Sequence, residues 1–450
     1  MTRYESVAEA VGHTPMIRLT KHGLRPRISV KPEWLNPAGS VKDRAALSMI
    51  RAAAADGSLP PGGIVVETTS GNTGIGLAAF AAHLGYRSVV FTSSAISQEK
   101  RDLLIAHGAE LRLVDVFVPK SHPDSLASVA QRFVDATPGA WLAGQYDNPA
   151  NPGAHVVSTG PEIWADTDGA VTHFVATVGT GGTISGTGRF LKDVSGGRVQ
   201  IVAADPATSS YSGGDGSAKY VEGAGHAVHP EAEEDVWPKS LDTSVIDRYE
   251  QVDDRGAIDA IHDLAASEGL LAGGSAGVAL AAGFRVAAEL GEDDDVVILL
   301  PDSGRAYLST YFNPVWLRAH GFRDAEGAVA RQVAVVARTV DPRWSVPEAL
   351  EGASDNEPLL VAYVRSAVPP HPSEVLGTTT VSALRGAASV RDATTPAPWI
   401  GAGQSPEEAL EAADRARPGW TTGILVDDGR VTALVERAAL TAPAPPTTAA

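Results

Sequence analysis

Lys42 stands in the run Asn36-Pro-Ala-Gly-Ser-Val-Lys-Asp-Arg44. Pro37 and Gly39 make a turn, and Ser40 followed by Asp43 reads as a helix cap. Lys42 then falls in the first helical turn, where the positive helix end disfavours an ammonium. A lysine so placed gives up its proton more readily, as a Schiff-base nucleophile must. Taken alone, the run also fits a solvated lysine beside a helix start. A second run, Glu67-Thr-Thr-Ser-Gly-Asn-Thr-Gly74, follows an apolar strand and opens an Ala-rich helix. Free N–H groups at a helix start, joined by hydroxyls, suit a carboxylate or a phosphate. A well-capped turn fits the same residues, since Ser, Thr and Asn cap helices in any case.

The third run, Val178-Gly-Thr-Gly-Gly-Thr183, also lies between strand and helix. Its glycines let backbone N–H groups close around a phosphate. No Gly-Lys-Ser/Thr follows, so it is not a nucleotide P-loop. Gly186-Thr-Gly188 would already lie inside the helix, which rules out a dinucleotide fingerprint. Leu299-Leu-Pro-Asp-Ser-Gly304 ends the last strand, and Ser303 there could meet a buried ring nitrogen. Gly273-Gly-Ser-Ala-Gly277 reads first as a packing loop.

These loops need elements to hold them. Short apolar runs at 28–31, 63–68, 88–92, 110–114, 173–178, 199–203 and 296–300 read as strands. Helices are expected over 41–56, 73–84, 99–107, 184–194, 255–268 and 277–290. Such alternation predicts an α/β fold with largely parallel sheets and helices on both faces. Ligands of such sheets sit at the carboxyl ends of the strands. After Gly321 the glycine-rich loops stop. Ser345-Val-Pro-Glu-Ala-Leu-Glu351 returns as Ser405-Pro-Glu-Glu-Ala-Leu-Glu411, five of seven positions identical at a spacing of 60 residues. Each copy precedes an apolar strand, at 359–364 and 422–426, so two related modules are expected. Residues 441–450 contain only Pro, Ala and Thr and read as a disordered tail.

The 450 residues are too many for one ordinary core. A net charge of -18 argues against general nucleic-acid binding, because a phosphate backbone would be repelled. With no cysteine, disulfides, thiolate zinc sites, iron–sulfur clusters and a cysteine nucleophile are excluded. No metal site is read from the sequence. No run approaches the roughly 18 apolar residues of a membrane span. The polar N-terminus lacks a signal-peptide core, so a cytoplasmic protein is expected.

Jointly and in this order, the motifs are specific. Residues 1 to about 322 resemble the cysteine synthase and cystathionine β-synthase family, fold type II pyridoxal-phosphate enzymes. Gln145-Tyr-Asp-Asn-Pro-Ala-Asn-Pro152 completes the match. The resemblance implies two doubly wound parallel-sheet subdomains with the active site between them, in a catalytic core over 1–322. It implies pyridoxal 5'-phosphate as cofactor and Lys42 as the lysine that holds it. Asn72 would hydrogen-bond the ring hydroxyl, Ser303 would face the ring nitrogen, and Gly179, Thr180, Gly181, Gly182 and Thr183 would cradle the phosphate. Thr69, Ser70, Gly71, Thr73 and Gln145 would hold the substrate carboxylate. Thr68 stands where the family usually has proline.

The implied reaction is β-replacement on serine or an O-acetyl or O-phospho serine. Lys42 takes the Cα proton, the β-substituent leaves an aminoacrylate, and a thiol adds. Gly74-Ile-Gly-Leu77, Val221-Glu-Gly-Ala-Gly225, Pro301-Asp-Ser-Gly-Arg-Ala-Tyr307 and Trp316-Leu-Arg-Ala-His-Gly-Phe322 resemble the cystathionine branch. Gln145–Pro152 and Ser158-Thr-Gly-Pro-Glu-Ile-Trp164 resemble O-acetylserine sulfhydrylases, and His226 replaces the cystathionine branch's tyrosine. A cysteine synthase, an enzyme using an amine nucleophile, a serine or threonine deaminase and an idle regulatory binder are the alternatives. A homodimer or larger assembly is implied. Residues 323–440 resemble a degenerate pair of CBS modules, an α+β appendage. Alanines at 383 and 439 stand where an aspartate grips ribose, and Glu436 stands on the phosphate side, so adenosine ligands should bind poorly.

Overall fold

The computed structural model describes residues 3–69, 71–328, 330–355, 357–365 and 369–441. The expected tail, apart from Thr441, lies outside them. The chain forms two compact units. The first is the chain up to Gly216 together with Val221–Ser309; the second is Ser217–Tyr220 and the chain from Thr310 onward.

The first unit carries ten strands: β1 (Ile17–Arg18), β2 (Arg27–Pro32), β3 (Ile64–Thr68), β4 (Arg87–Thr92), β5 (Glu110–Leu113), β6 (Ala140–Leu142), β7 (His173–Thr177), β8 (Gln200–Pro206), β9 (Arg248–Val252) and β10 (Asp295–Leu300). Its helices are α1 (Lys42–Asp56), α2 (Asn72–Leu84), α3 (Gln98–Ala106), α4 (Leu126–Ala136), α5 (Ala150–Val157), α6 (Thr159–Asp166), α7 (Gly182–Ser195), α8 (Asp254–Glu268) and α9 (Gly274–Ala288). One sheet runs β1-β2-β10-β7-β8-β9 and the other β5-β4-β3-β6. All pairs are parallel except β1 with β2. Every residue of β10 is buried, as expected of a parallel strand covered on both faces. The α/β expectation holds. Beyond the expected set, α5 and α6 carry Pro152 and Pro161 in their first turns, where the missing N–H is tolerated but reads as a breaker.

Two features fix the start of α1. Gly76 lets α2 approach closely: a Cβ there would lie 3.1 Å from Ala46 Cβ and 3.4 Å from the Lys42 carbonyl. Below it, Arg44 donates to buried Glu33 at 2.7 Å and to Glu162 at 2.6 Å. Glu162 also pairs with buried Lys31 at 3.0 Å. Burial works against the Glu162 carboxylate, but the hydrogen bond and charge of Arg44 and the charge of Lys31 outweigh it and hold its pKa down at about 2.

The second unit holds α10 (Pro314–Ala319) and then two copies of one β-α-β-β-α order. The first copy is β11 (Arg338–Val340), α11 (Val346–Leu350), β12 (Pro358–Ala362), β13 (Val375–Thr380) and α12 (Val381–Arg385). The second is β14 (Trp399–Gly401), α13 (Pro406–Ala416), β15 (Thr422–Asp427), β16 (Arg430–Glu436) and α14 (Arg437–Thr441). In each, the first two strands are parallel and the last two antiparallel. Ser345 with Glu348 and Ser405 with Glu408 form matching capping boxes. A cleft of about 740 Å³ is lined by residues of both copies, among them Thr380, Ala383, Arg417, Trp420 and Glu436. The Tyr220 ring packs on Trp316, His320, Phe322 and His371, with centroids 4.5–5.7 Å away. No helix among the described residues is long and apolar enough to cross a membrane.

Removing Arg44 should leave buried Glu33 without its ion-pair partner, held only by Thr14 and Asn36. Arg44→Met is expected to lower stability by about 3–5 kcal/mol, seen as a fall in the urea midpoint followed by circular dichroism. An unchanged midpoint would contradict this.

Candidate active site

Lys42 is the first residue of α1. The expected capping box is not formed. Val41 is the N-cap, Ser40 Oγ accepts from the Lys42 N–H at 3.1 Å, and Asp43 Oδ2 accepts from the Ala38 N–H at 2.6 Å. Asp43 thus ties down the preceding turn rather than the helix end, because the chain enters α1 in an already helical conformation at Val41. Burial pushes the Asp43 pKa up to about 7, against the Ala38 hydrogen bond. Burial also pushes Lys42 down from 10.5 to about 8, with the charge of Asp302 opposing it.

Asp302 is the residue the sequence reading passed over in favour of its neighbour. It is 1% exposed. Its Oδ2 accepts from Asn72 Nδ2 at 2.7 Å and from the Tyr307 hydroxyl at 2.6 Å. The Val41 N–H donates to the Pro301 carbonyl at 2.9 Å, and Ser40 bridges Asp302. Gly273 must lack a side chain, since a Cβ would lie 2.1 Å from Asp302 Oδ1. Ser303 Oγ donates to the Leu271 carbonyl at 3.3 Å and accepts from the Arg305 N–H at 3.2 Å.

The loop before α2 connects to this cluster through Asn72. Thr69 Oγ1 accepts from the Gly71 N–H at 3.1 Å. Gly71 is the N-cap of α2, with φ 127° and no side-chain cap on the helix end. Thr73 Oγ1 donates to Gln145 Oε1 at 2.6 Å, so two expected carboxylate holders engage each other. Behind them, buried Glu67 accepts from the Gln145 N–H at 3.1 Å. Burial raises the Glu67 pKa to about 7, opposed by the Gln145 and Thr68 N–H groups. Ser70 lies outside the described residues.

From Gln145 the contacts run on to the glycine loop. Asn151 Nδ2 donates to the Gln145 carbonyl at 2.8 Å and to Thr180 Oγ1 at 3.0 Å. Thr183 Oγ1 meets His155 Nε2 at 3.3 Å. Burial, then the charges of Arg44 and Lys42, hold His155 well below the usual imidazole range. The Tyr211 hydroxyl donates to the Gly179 carbonyl at 2.9 Å. Asn151, His155 and Tyr211 were not singled out from the sequence. Asn151 lay within a quoted motif, but nothing local reveals what its amide reaches.

A model of the family described as pyridoxal-phosphate dependent enzyme matches residues 7–302. The chain belongs to this family. It is 39% identical over 325 residues to a cystathionine beta-synthase of Apis mellifera, covering 70% of this chain and 63% of that protein. The chain thus spans about three fifths of that relative's length. It is also 39% identical over 328 residues to cysteine synthase 1 of Emericella nidulans, covering 71% and 87%. Among solved structures, a lysine-to-alanine mutant of O-ureido-L-serine synthase with O-ureido-L-serine bound matches with TM-score 0.64 and 36% identity, covering 70% of this chain and 95% of that one. The fold is that of the fold type II pyridoxal-phosphate enzymes, and pyridoxal 5'-phosphate is the cofactor.

The residues present fit that group. A Cβ would lie 2.5 Å from the Gly223 carbonyl at Gly179, 2.5 Å from Leu241 Cα at Gly181 and 2.1 Å from Asn151 Oδ1 at Gly182. Only glycine therefore fits where α7 begins, and no side chain caps that helix end. An uncapped helix start of this kind suits a phosphate. Buried Asn151 Oδ1 and Asp302 Oδ1 also have no hydrogen-bond partner among the described residues.

In protein stripped of cofactor, Lys42 should react with an amine-directed reagent with a midpoint near pH 8, read by peptide mass spectrometry. Asp302→Asn should move the midpoint lower, since the carboxylate favours the ammonium. A midpoint near that of an ordinary lysine, about 10.4, would contradict the electrostatic account.

Proposed function

We infer that the chain catalyses β-replacement on serine or an activated serine, with a thiol nucleophile as in cystathionine β-synthases. The observation that supports this best is the unbroken series of contacts from the Lys42 loop through Asp302 and Asn72, then Thr73, Gln145 and Asn151, to Thr180. When bound, pyridoxal phosphate supplies an electron sink for the amino acid's Cα. Lys42 would hold the cofactor through Nζ. Once the amino acid has taken that place, Lys42 Nζ takes the Cα proton and later returns it. Its low pKa leaves a large neutral fraction near pH 8, as a base requires. Gly179, Thr180, Gly181, Gly182 and Thr183 would hold the phosphate. Asn72 and Ser303 would contact the ring, and the neutral Ser303 hydroxyl would leave the ring nitrogen without a counter-charge. Thr69, Ser70, Gly71, Thr73 and Gln145 would hold the amino-acid carboxylate.

A second reading of the nucleophile has its own support. The O-ureido-L-serine synthase structures are covered almost entirely by the match, at 95% and 96%. His226, unlike the tyrosine expected of the cystathionine branch, pairs with Asp235 at 2.9 Å and stacks on Tyr211. A nucleophile other than a thiol is therefore the alternative. Mass analysis of products from serine, O-acetylserine and O-phosphoserine, each with sulfide, homocysteine or simple amines, separates the two. We assign the catalytic portion to 1–322, the CBS-like pair to 323–440, the setting to the cytoplasm and the assembly to a homodimer or a larger homo-oligomer. The dimer rests on the family alone. The N-terminal segment engages its own chain, with the Gly12 N–H on Asn36 Oδ1 at 2.8 Å and Lys31 Nζ on the Thr14 carbonyl at 2.8 Å.

Lys42→Ala should abolish turnover in every product assay, and borohydride reduction of wild type should leave the cofactor on the Lys42 peptide. Wild-type turnover in the alanine variant would refute the assignment. For the C-terminal pair, losing a charged acceptor costs about 1.5–3 kcal/mol, a tenfold or larger loss of affinity. Calorimetry should therefore show no low-micromolar binding of ATP or S-adenosylmethionine. Such binding, lost on deleting residues 331–450, would show the modules to be live sensors.

A further inference from the structure

Lys100 lies in α3 and is 1% exposed. A buried ammonium persists only when paired, because stripping its water is otherwise too costly. Its Nζ meets Glu222 Oε2 at 2.7 Å and sits 4.5 Å from the centre of the Tyr307 ring. Glu222 is the more exposed partner, at 15%. α3 follows β4 of the four-stranded sheet, whereas Glu222 follows β8 and Tyr307 follows β10 of the six-stranded sheet. The ion pair therefore joins the two sheets within the first unit.

The stem of Lys100 also fills the space beside Gly71. A Cβ on Gly71 would lie 2.6 Å from Lys100 Cδ and 3.3 Å from its Cβ and Cγ. On the other side, Tyr307 donates to the same Asp302 oxygen that accepts from Asn72. Neighbouring bonds dock the start of α3 in the same place: Ser97 Oγ donates to the Ala306 carbonyl at 2.6 Å, and the Ser309 N–H donates to Glu99 Oε1 at 2.8 Å. Lys100 carries that docking on to Gly71.

We propose that Lys100 is a positioning residue whose ion pair with Glu222 latches Gly71, the N-cap of α2, toward the six-stranded sheet, and so sets the affinity for the amino-acid carboxylate without touching the amino acid. This rests on reading Thr69, Gly71 and Thr73 as part of the carboxylate site. A cation is needed because it satisfies Glu222 and the Tyr307 face at once. The contact with Gly71 needs an unbranched stem.

The test uses holoenzyme and L-alanine, an amino acid with no β-leaving group, titrated through the cofactor's absorbance. Lys100→Met and Glu222→Gln should each weaken L-alanine about tenfold, with cofactor content and resting absorbance unchanged. The double variant should be no weaker than either single, since one contact is removed once. Lys100→Arg should restore most of the affinity. Should Lys100→Met fail to fold, Glu222→Gln against Lys100→Arg carries the same comparison. Wild-type affinity in the folded, cofactor-loaded single variants, or losses that multiply in the double variant, would overturn the latch alone. A wild-type protein that takes up cofactor but binds no amino acid would overturn the β-replacement reading and the latch with it.

Discussion

The buried amine of Lys42 and the buried carboxylate of Asp302 impose opposite demands on one proton. Burial makes the ammonium expensive, the carboxylate makes it cheaper, and the outcome is a lysine that titrates near 8. That balance survives only if Asp302 stays where it is. Asn72 and Tyr307 hold one of its oxygens, and Gly273 gives the other room that no side chain could leave. Lys42 in turn stays put because α1 is bolted down by Arg44, Glu33 and Glu162, and because Gly76 lets α2 lie against its first turn.

What could be read in the sequence was whatever is local. The strands at 28–31, 88–92 and 296–300 reappear with ends shifted by a residue or so, because β-branched runs between turn residues have few other options. The glycine loop was legible as a strand-to-helix turn because its glycines gather where a helix begins. The repeat was legible because a capping box is a spaced pair of residues, Ser345 with Glu348 and Ser405 with Glu408.

What could not be read is long-range. Lys100 sits in Gln-Glu-Lys-Arg at a helix start, a pattern that reads as a solvated face, and its partner Glu222 is 122 residues away. Asp302 was visible as a letter in Pro-Asp-Ser, but its link to Asn72 spans 230 residues. Asn151 and His155 fell in a segment that Pro149 and Pro152 make look irregular, so the helix carrying both, α5, went unrecognised. Ser40 and Asp43 show the reverse error. They have the composition of a cap, but Val41 already has helical dihedrals, which leaves Asp43 to hold the turn before it.

The four residues Ser217–Tyr220 belong with the second unit although the chain on both sides of them belongs with the first. A ribosome makes Tyr220 well before it makes Trp316, His320, Phe322 and His371, the rings that surround it. At ordinary synthesis rates of about 5–20 residues per second, that segment waits for several seconds or more before its partners exist. The first unit must therefore mature around a gap in its own thread, with Val221 and Glu222 held on one side of an aromatic residue that has nowhere yet to go. The second unit can close only after His371 has been made, and a chain cut short before it would leave the rings around Tyr220 incomplete rather than give a clean, shorter enzyme.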